Sequence, residues 1–183
     1  RWVCGYDWKL RNVEYRMSTL EVKELSHPAG QVIKIASGKT LDLNSQGSVT
    51  MPTHSIIQVV QALDTGNFST ASSNYVDTNL SASITPISTT SKILVLVSQT
   101  GFTGGSMNTT FNLCRGSTVI TETYSQSNTS GYKFAGNFIN YLDSPSTTSA
   151  VTYKTQIKVT ASTFYMNWSN AGRSTITLME IQG

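Results

Sequence analysis

The stretch STTSKILVLVSQTGFTGG, Ser88 to Gly105, carries five consecutive apolar residues, Ile93 to Val97, between Ser/Thr-rich and Gly-rich flanks. A run this short, bounded by turn formers, reads as a strand rather than a helix. Side chains alternate across a strand, so Ile93, Val95 and Val97 point one way and Leu94 and Leu96 the other. One face can meet the core of a sandwich. Leaving Leu94 and Leu96 in water on the other would forfeit roughly 1.5–3 kcal/mol per side chain. The long loops are rich in Ser, Thr, Asn and Gly and make poor covers. A neighbouring copy of the same chain is the better cover, which predicts a symmetric oligomer, a homotrimer, with Leu94 and Leu96 in its interface.

The same strand signature extends outward in both directions. Segments 56–63, 79–87, 92–100, 108–115, 118–124, 131–141, 150–159, 163–168 and 174–182 alternate apolar with polar residues or are rich in β-branched ones. RGST, SNTSG, DSPSTTS and SNAGR supply turns between them. No window of useful length has a helical period. Eight or nine short strands in about 130 residues predict an all-β, antiparallel jelly-roll-like sandwich over residues 54–183.

Composition agrees with an all-β surface protein. Ser and Thr together number 51 of 183 residues and charged residues are 13%, a profile unlike an acidic tail or a Lys/Glu-rich helical protein. The formal charge is +3, of which residues 1–16 hold +2, so the body carries no electrostatic footprint for nucleic acid. No apolar run approaches the length of a membrane-crossing helix, and membrane insertion is not expected. Cys4 and Cys114 make no disulfide framework and are expected to be isolated thiols. The chain opens on Arg1, and Met17 offers an alternative start.

Two further zones precede the sandwich. Residues 1–16, RWVCGYDWKLRNVEYR, set Trp2, Tyr6 and Trp8 among Arg and Lys; this suits a docking arm that orders against a larger partner, and equally an arm packed on its own domain. In residues 17–53 the apolar doublets Ile33/Ile35, Leu41/Leu43 and Val49/Met51 recur every eight residues, with ASGKT and NSQGS between. These are short strands and tight turns. They suit a β-rich shaft or connector whose rungs are completed by other chains, or a two-hairpin meander.

Catalytic motifs are missing: no G-x-S-x-G, H-E-x-x-H, C-x-x-C or phosphate-binding Gly loop is present, and neither enzymatic activity nor a cofactor is expected. His27 and His54 stand alone, and no metal site is expected of them. Asp64 and Asp77 flank one long loop and are the only carboxylates placed as a hydrolase pair would be; strand-end structural roles fit them better.

If successive strands are antiparallel, loops alternate between the two ends of the sandwich. Loops 64–78, 101–107, 125–130 and 160–162 then share one end, and 88–91, 116–117, 142–149 and 169–173 share the other, where the connector enters. The three longer distal loops, DTGNFSTASSNYVDT, GFTGGSM and SQSNTS, mix Tyr, Ser, Gly and Asn with single aromatics, the composition of adaptable binding loops. Aromatic faces beside neutral amides and hydroxyls suit sugars. Phe68, Asn74, Tyr75, Phe102, Met107 and Asn128 are the candidate contacts, and three copies would add avidity.

The phrases SITPISTTSKILVLVSQTG, FNLCRGSTVI, SPSTTSAVTYKTQIKV and RSTITLMEIQG, with MSTLEVKEL…GQVIKIASGKTLDLNSQGSV before them, resemble the C-terminal domain of fibre proteins from phages of marine and freshwater bacteria, cyanophages among them. The resemblance spans residues 17–183 and implies a trimeric virion fibre on the particle surface, with no catalytic motif to carry over. A tail-fibre tip adsorbing to a bacterial surface glycan is the expectation, the arm binding other virion proteins. The rival is a capsid-decorating or head-fibre protein with no specific receptor. A secreted adhesion jelly roll fits less well, since no disulfide framework is visible.

Overall fold

Among the residues that the computed structural model describes, 37–38, 51–128, 130–168 and 172–183, there are twelve strands and no α-helix. They are β1 (Ile56–Asp64), β2 (Phe68–Thr70), β3 (Val76–Ile84), β4 (Lys92–Gln99), β5 (Gly101–Thr103) and β6 (Met107–Arg115). After a two-residue turn at Gly116 (φ +59°) follow β7 (Thr118–Ser127), β8 (Lys133–Phe134), β9 (Asn137–Asp143), β10 (Val151–Val159), β11 (Phe164–Met166) and β12 (Ser174–Ile181). The chain divides into two units, Arg1–Val49 and Thr50–Gly183, and every strand belongs to the second. In the first, Ser37 and Gly38 form a turn with φ +74° at Gly38, a conformation glycine adopts without steric cost. The arm with Trp2, Tyr6 and Trp8, the connector before Met51 apart from that turn, and His27 lie outside the described residues.

Eight strands build two antiparallel sheets, β1-β12-β4-β9 and β3-β10-β6-β7. The chain crosses between sheets at almost every connection, and its first and last strands lie side by side. This is a jelly-roll sandwich, as the sequence predicts. Alternation makes the layers: β3 and β10 bury every second residue. Leu80 and Ile84 of β3, Ile93, Val95 and Val97 of β4, Leu113, Ile139, Tyr153, Ile176 and Leu178 meet between the sheets.

The remaining strands form a third sheet, β2-β11-β5-β8, made wholly from connections between the other eight. One predicted strand, 131–141, is therefore split, and the predicted loop 101–107 opens with a strand of its own. β4 pairs with β12 and β9, while β5 just beyond Thr100 pairs with β11 and β8. Segment 131–141 breaks at Ala135–Gly136, where the Ala135 N–H donates to the Gly101 carbonyl at 2.8 Å and the chain passes from the small sheet to the sandwich. A second core cluster lies beneath the small sheet and includes Met107, Phe111, Ile157, Phe164 and Met166.

Segment 163–168 is a strand of the small sheet, not of the sandwich. That moves the loop after it. Thr100 donates to the Arg173 carbonyl and Ser174 opens β12 beside Asn167, so turn 169–173 leaves and re-enters at the end of the longer loops, not the opposite one.

Two buried carboxylates, Asp143 and Glu180, gather hydrogen bonds inside the sandwich. Arg115 donates to both Asp143 oxygens at 3.1 and 2.9 Å, and the Tyr153 hydroxyl donates to Asp143 at 2.7 Å, tying the two sheets together. Burial and that carboxylate push the Tyr153 hydroxyl pKa far up. Glu180 is fully buried, accepting from the Gln58 amide and, at 2.7 Å, from the Ile87 N–H. Burial works against its charge, but the donated hydrogen bonds outweigh it and hold the carboxyl below its ordinary range.

A carboxyl whose pKa is depressed by folding stabilises the fold above its unfolded value and loses that contribution as pH falls through the folded one. Thermal unfolding scanned by pH should therefore show the midpoint dropping below about pH 4.5. Glu180→Ala should flatten this dependence and cost about 1–3 kcal/mol at pH 7, because the Gln58 amide and the Ile87 N–H both lose a charged acceptor. An unchanged acid limb in the variant would show that other groups control it.

Candidate functional site

The outer faces of the two main sheets differ in kind. On β3-β10-β6-β7, the row Asp77–Gln156–Asn112–Glu122 crosses all four strands and is entirely polar. Lys154 pairs with Asp77 at 2.6 Å, Gln156 donates to Asp77 at 2.7 Å, and these donors hold the Asp77 carboxyl below its usual range. Tyr75 bonds Glu122 over this face with Lys158 4.4 Å from its ring centre, and burial together with Glu122 pushes its hydroxyl up to about 12. Cys114 is a free thiol buried on the same face, 3.4 Å from the Gln156 amide oxygen; Cys4 lies outside the described residues.

On β1-β12-β4-β9 the corresponding row is Val59–Met179–Leu94–Leu142, apolar across all four strands. Ile56 and Ile181 border it on one side, and Leu63 and Phe138 lie two rows away beyond Gln61, Thr177 and Asn140 on the other. Val59, Leu142 and Phe138 are 56, 48 and 65% exposed. Leu94 and Leu96 are half-buried at its centre. An antiparallel sheet with a wet outer face should alternate apolar and polar residues, as the other sheet does. This one carries an unbroken apolar row across its four strands with Leu96 beside it, flanked by the mixed rows Gln61–Thr177–Leu96–Asn140 and Leu63–Thr175–Ser98–Phe138. Exposed apolar groups gathered this way mark an interface.

At the loop end, the small sheet carries an aromatic surface. Its register sets Ser69, Tyr165, Phe102 and Phe134 in one row across four strands. The alternate residues Phe164 and Met166 turn into the core and are fully buried. Phe102 and Phe134 meet edge to face at 5.9 Å. Tyr165 and Trp168 meet at 4.2 Å and 67°, and Tyr132 and Trp168 at 4.9 Å and 72°. Tyr132 and Phe134 are 62 and 60% exposed. A cleft of about 300 Å³ opens beside the rings, lined by Asn67, Phe68, Ser69, Tyr165, Met166 and Trp168.

Two residues set this surface in place. Asn167 is buried with φ +54°, a left-handed conformation that Asn tolerates better than most side chains. Its amide donates to the Asp64 carbonyl and carboxylate, each at 3.0 Å, and to the Gly66 carbonyl at 3.2 Å. Its oxygen accepts from Ser174 at 2.8 Å and Thr100 at 3.0 Å. One side chain thus joins the ends of β1, β4 and β11 to the start of β12, directly before Trp168. Gly101 is the second: a Cβ there would overlap the Phe164 ring, which packs edge to face on Phe111 at 5.5 Å. Gly101→Ala should lower stability by about 1–3 kcal/mol, measured by denaturant unfolding, since the buried ring has no room to yield; an unchanged midpoint would show that it does.

The sequence-predicted contacts scatter. Phe68 lines the cleft and Phe102 lies in the aromatic row. Asn74 is exposed in the turn it makes with Ser72, and Asn128 is exposed after β7. Tyr75 belongs to the polar wall described above. Met107 is a correction: it is 3% exposed in the second core cluster, because β6 begins there with its side chain inward, and it cannot meet a receptor. Asp64 and Asp77 serve separate hydrogen-bond sets, one on Asn167 and Gly66, the other on Lys154 and Gln156. His54 is exposed at the opposite end, its N–H donating to the Gln182 carbonyl at 2.8 Å.

Tyr132, Phe134, Tyr165 and Trp168 were not singled out. Their signal was present: FYM carries apolar residues on both faces of a strand, as ILVLV does.

No family model and no curated protein matches the chain. Among solved structures, it is similar to the infectious bursal disease virus VP2 subviral particle, at 15% identity and a TM-score of 0.39 over 79% of this chain and 37% of that one. It is similar also to the infectious bursal disease virus Gx strain, at 12% identity and a TM-score of 0.40 over 79% and 41%. The chain thus spans about two fifths of those proteins. At these scores the likeness bears on neither function nor assembly.

Proposed function

We propose that this chain is a fibre protein of a bacterial virus, a homotrimer on the particle surface that presents its loop end to a bacterial surface glycan. The observation that carries the proposal is the apolar row Val59–Met179–Leu94–Leu142. A face this apolar is stable when covered, and a second copy offers the same uncharged surface; Lys92, at its margin, is the one ionisable residue among the outward positions of β4. The resemblance of residues 17–183 to phage fibre domains supports threefold closure and a virion location. Covering this face leaves the loop end free, where the aromatic row and cleft lie.

Absolute mass by light scattering tests the assembly. The expected value is near three times the 19.9 kDa chain mass. A stable monomer would remove the physical support for the fibre. A trimer that captures no bacterial polysaccharide would instead fit the capsid-decorating role.

A further inference from the structure

We infer that the corner formed by Tyr165 and Trp168, with the cleft beside it, is a subsite for one neutral pyranose residue of that glycan. The inference rests on the receptor-binding proposal for its biological meaning, but the site is argued from its own chemistry.

The rings of Tyr165 and Trp168 stand at 67° to one another with centres 4.2 Å apart, and Tyr132 joins both, at 72° and 4.9 Å to Trp168 and 6.2 Å from Tyr165. Steeply inclined rings form a corner and cannot sandwich a flat base or another aromatic ligand. A pyranose fits a corner: it has one apolar C–H face to lie on a ring and a rim of hydroxyls that must remain hydrogen-bonded. The lining also includes the neutral polar residues Asn67 and Ser69, the latter directly beside Tyr165 across the strands. Among the described residues no Lys, Arg, Asp or Glu lines the cleft, so none of them would repay the desolvation of an anionic sugar. At about 300 Å³ it lies at the small end of ligand sites, which suits one terminal residue rather than a long segment.

The site is also built rather than incidental. Asn167, immediately before Trp168, is held by five hydrogen bonds to Asp64, Gly66, Thr100 and Ser174, so the indole is carried on an anchored backbone. Preorganised aromatic groups lose little entropy on binding. Tyr132, 62% exposed, packs on both the indole and Tyr165 and completes the three-ring cluster.

The test uses the full chain. Calorimetric titration and saturation-transfer NMR with cellotetraose, maltotetraose and β-1,4-galactotetraose should detect saturable, weak binding of at least one, with transfer strongest to protons of one sugar face. Oligosialic acid should not bind. Trp168→Ala should abolish binding and Trp168→Phe should retain it, weakened roughly tenfold; the conservative variant separates a lost platform from a misfolded one. Failure of every neutral tetraose to bind the native chain, or undiminished binding by Trp168→Ala, overturns the subsite.

A second arm, capture of immobilised cyanobacterial envelope polysaccharide, separates this from the receptor proposal. Capture that survives Trp168→Ala overturns the subsite and leaves the receptor proposal standing. Tetraose binding through Trp168 without envelope capture by the native chain supports the subsite and defeats the receptor proposal.

Discussion

Leu94→Asp is expected to convert the proposed trimer to a folded monomer, the mass by light scattering falling to that of one 19.9 kDa chain. Leu94 sits at the middle of the apolar row, between Met179 of β12 and Leu142 of β9. In an assembly that covers the row, a carboxylate at this position would be buried with no partner. The effective penalty for such a charge is several kcal/mol, and a threefold assembly would meet it three times. In the isolated subunit the same position is only half-buried, and the strand's core contacts come from Ile93, Val95 and Val97. The fold should therefore survive, with β-sheet circular dichroism and a cooperative transition retained. That separation of effects gives the experiment its power. A native chain that is already monomeric sinks the interface, and an unchanged trimer in Leu94→Asp places it elsewhere.

Asn167→Asp should produce the largest loss of stability at the loop end, although it changes only one NH₂ group to an oxygen. The amide donates three hydrogen bonds, two of them to Asp64. An aspartate in its place loses both N–H donors, and with them all three bonds, and sets a second carboxylate against that of Asp64. Stranding buried acceptors costs about 1–3 kcal/mol, more where charge is involved, and the like-charge contact adds to it. Roughly 3–5 kcal/mol is expected, a large part of a domain's usual stability. Hydrogen exchange should locate the loss in β2, β11 and β5, with the main sheets less affected. Uniform loosening of every strand would show that the loop end and sandwich unfold as one unit; native protection throughout would show that Asn167 is not the anchor.

How much of this could be read from the residues follows a pattern. Alternation and turn chemistry are local, and they located most sandwich strands, the Gly116 turn and the clustering of the longer loops at one end. Segments 131–141 and 163–168 went differently. A strand's sequence says which residues share a face but not which strand supplies its hydrogen bonds, so β8 was merged with β9 and β11 was counted with the sandwich. Counting one strand too many sent turn 169–173 to the wrong end. It also hid Tyr165 and Trp168 inside what looked like core.

Met107 fails for a related reason. It closes the loop GFTGGSM in sequence, yet it is the first residue of β6 with its side chain turned in against Phe111 and its neighbours. One residue at a strand end decides inside from outside.

The sequence by itself determined the all-β class, the jelly-roll number of strands and the anomaly of ILVLV, because composition, period and turn residues act within a few positions of one another. Only the tertiary structure decided that Leu94 shares a row with Val59, Met179 and Leu142, that the loop connections pair into a sheet of their own, and that Asn167 anchors the aromatic corner. Those groupings join residues up to about 120 positions apart, as Val59 and Met179 are. Cross-strand register sets them, and register is a property of partners rather than of any one strand.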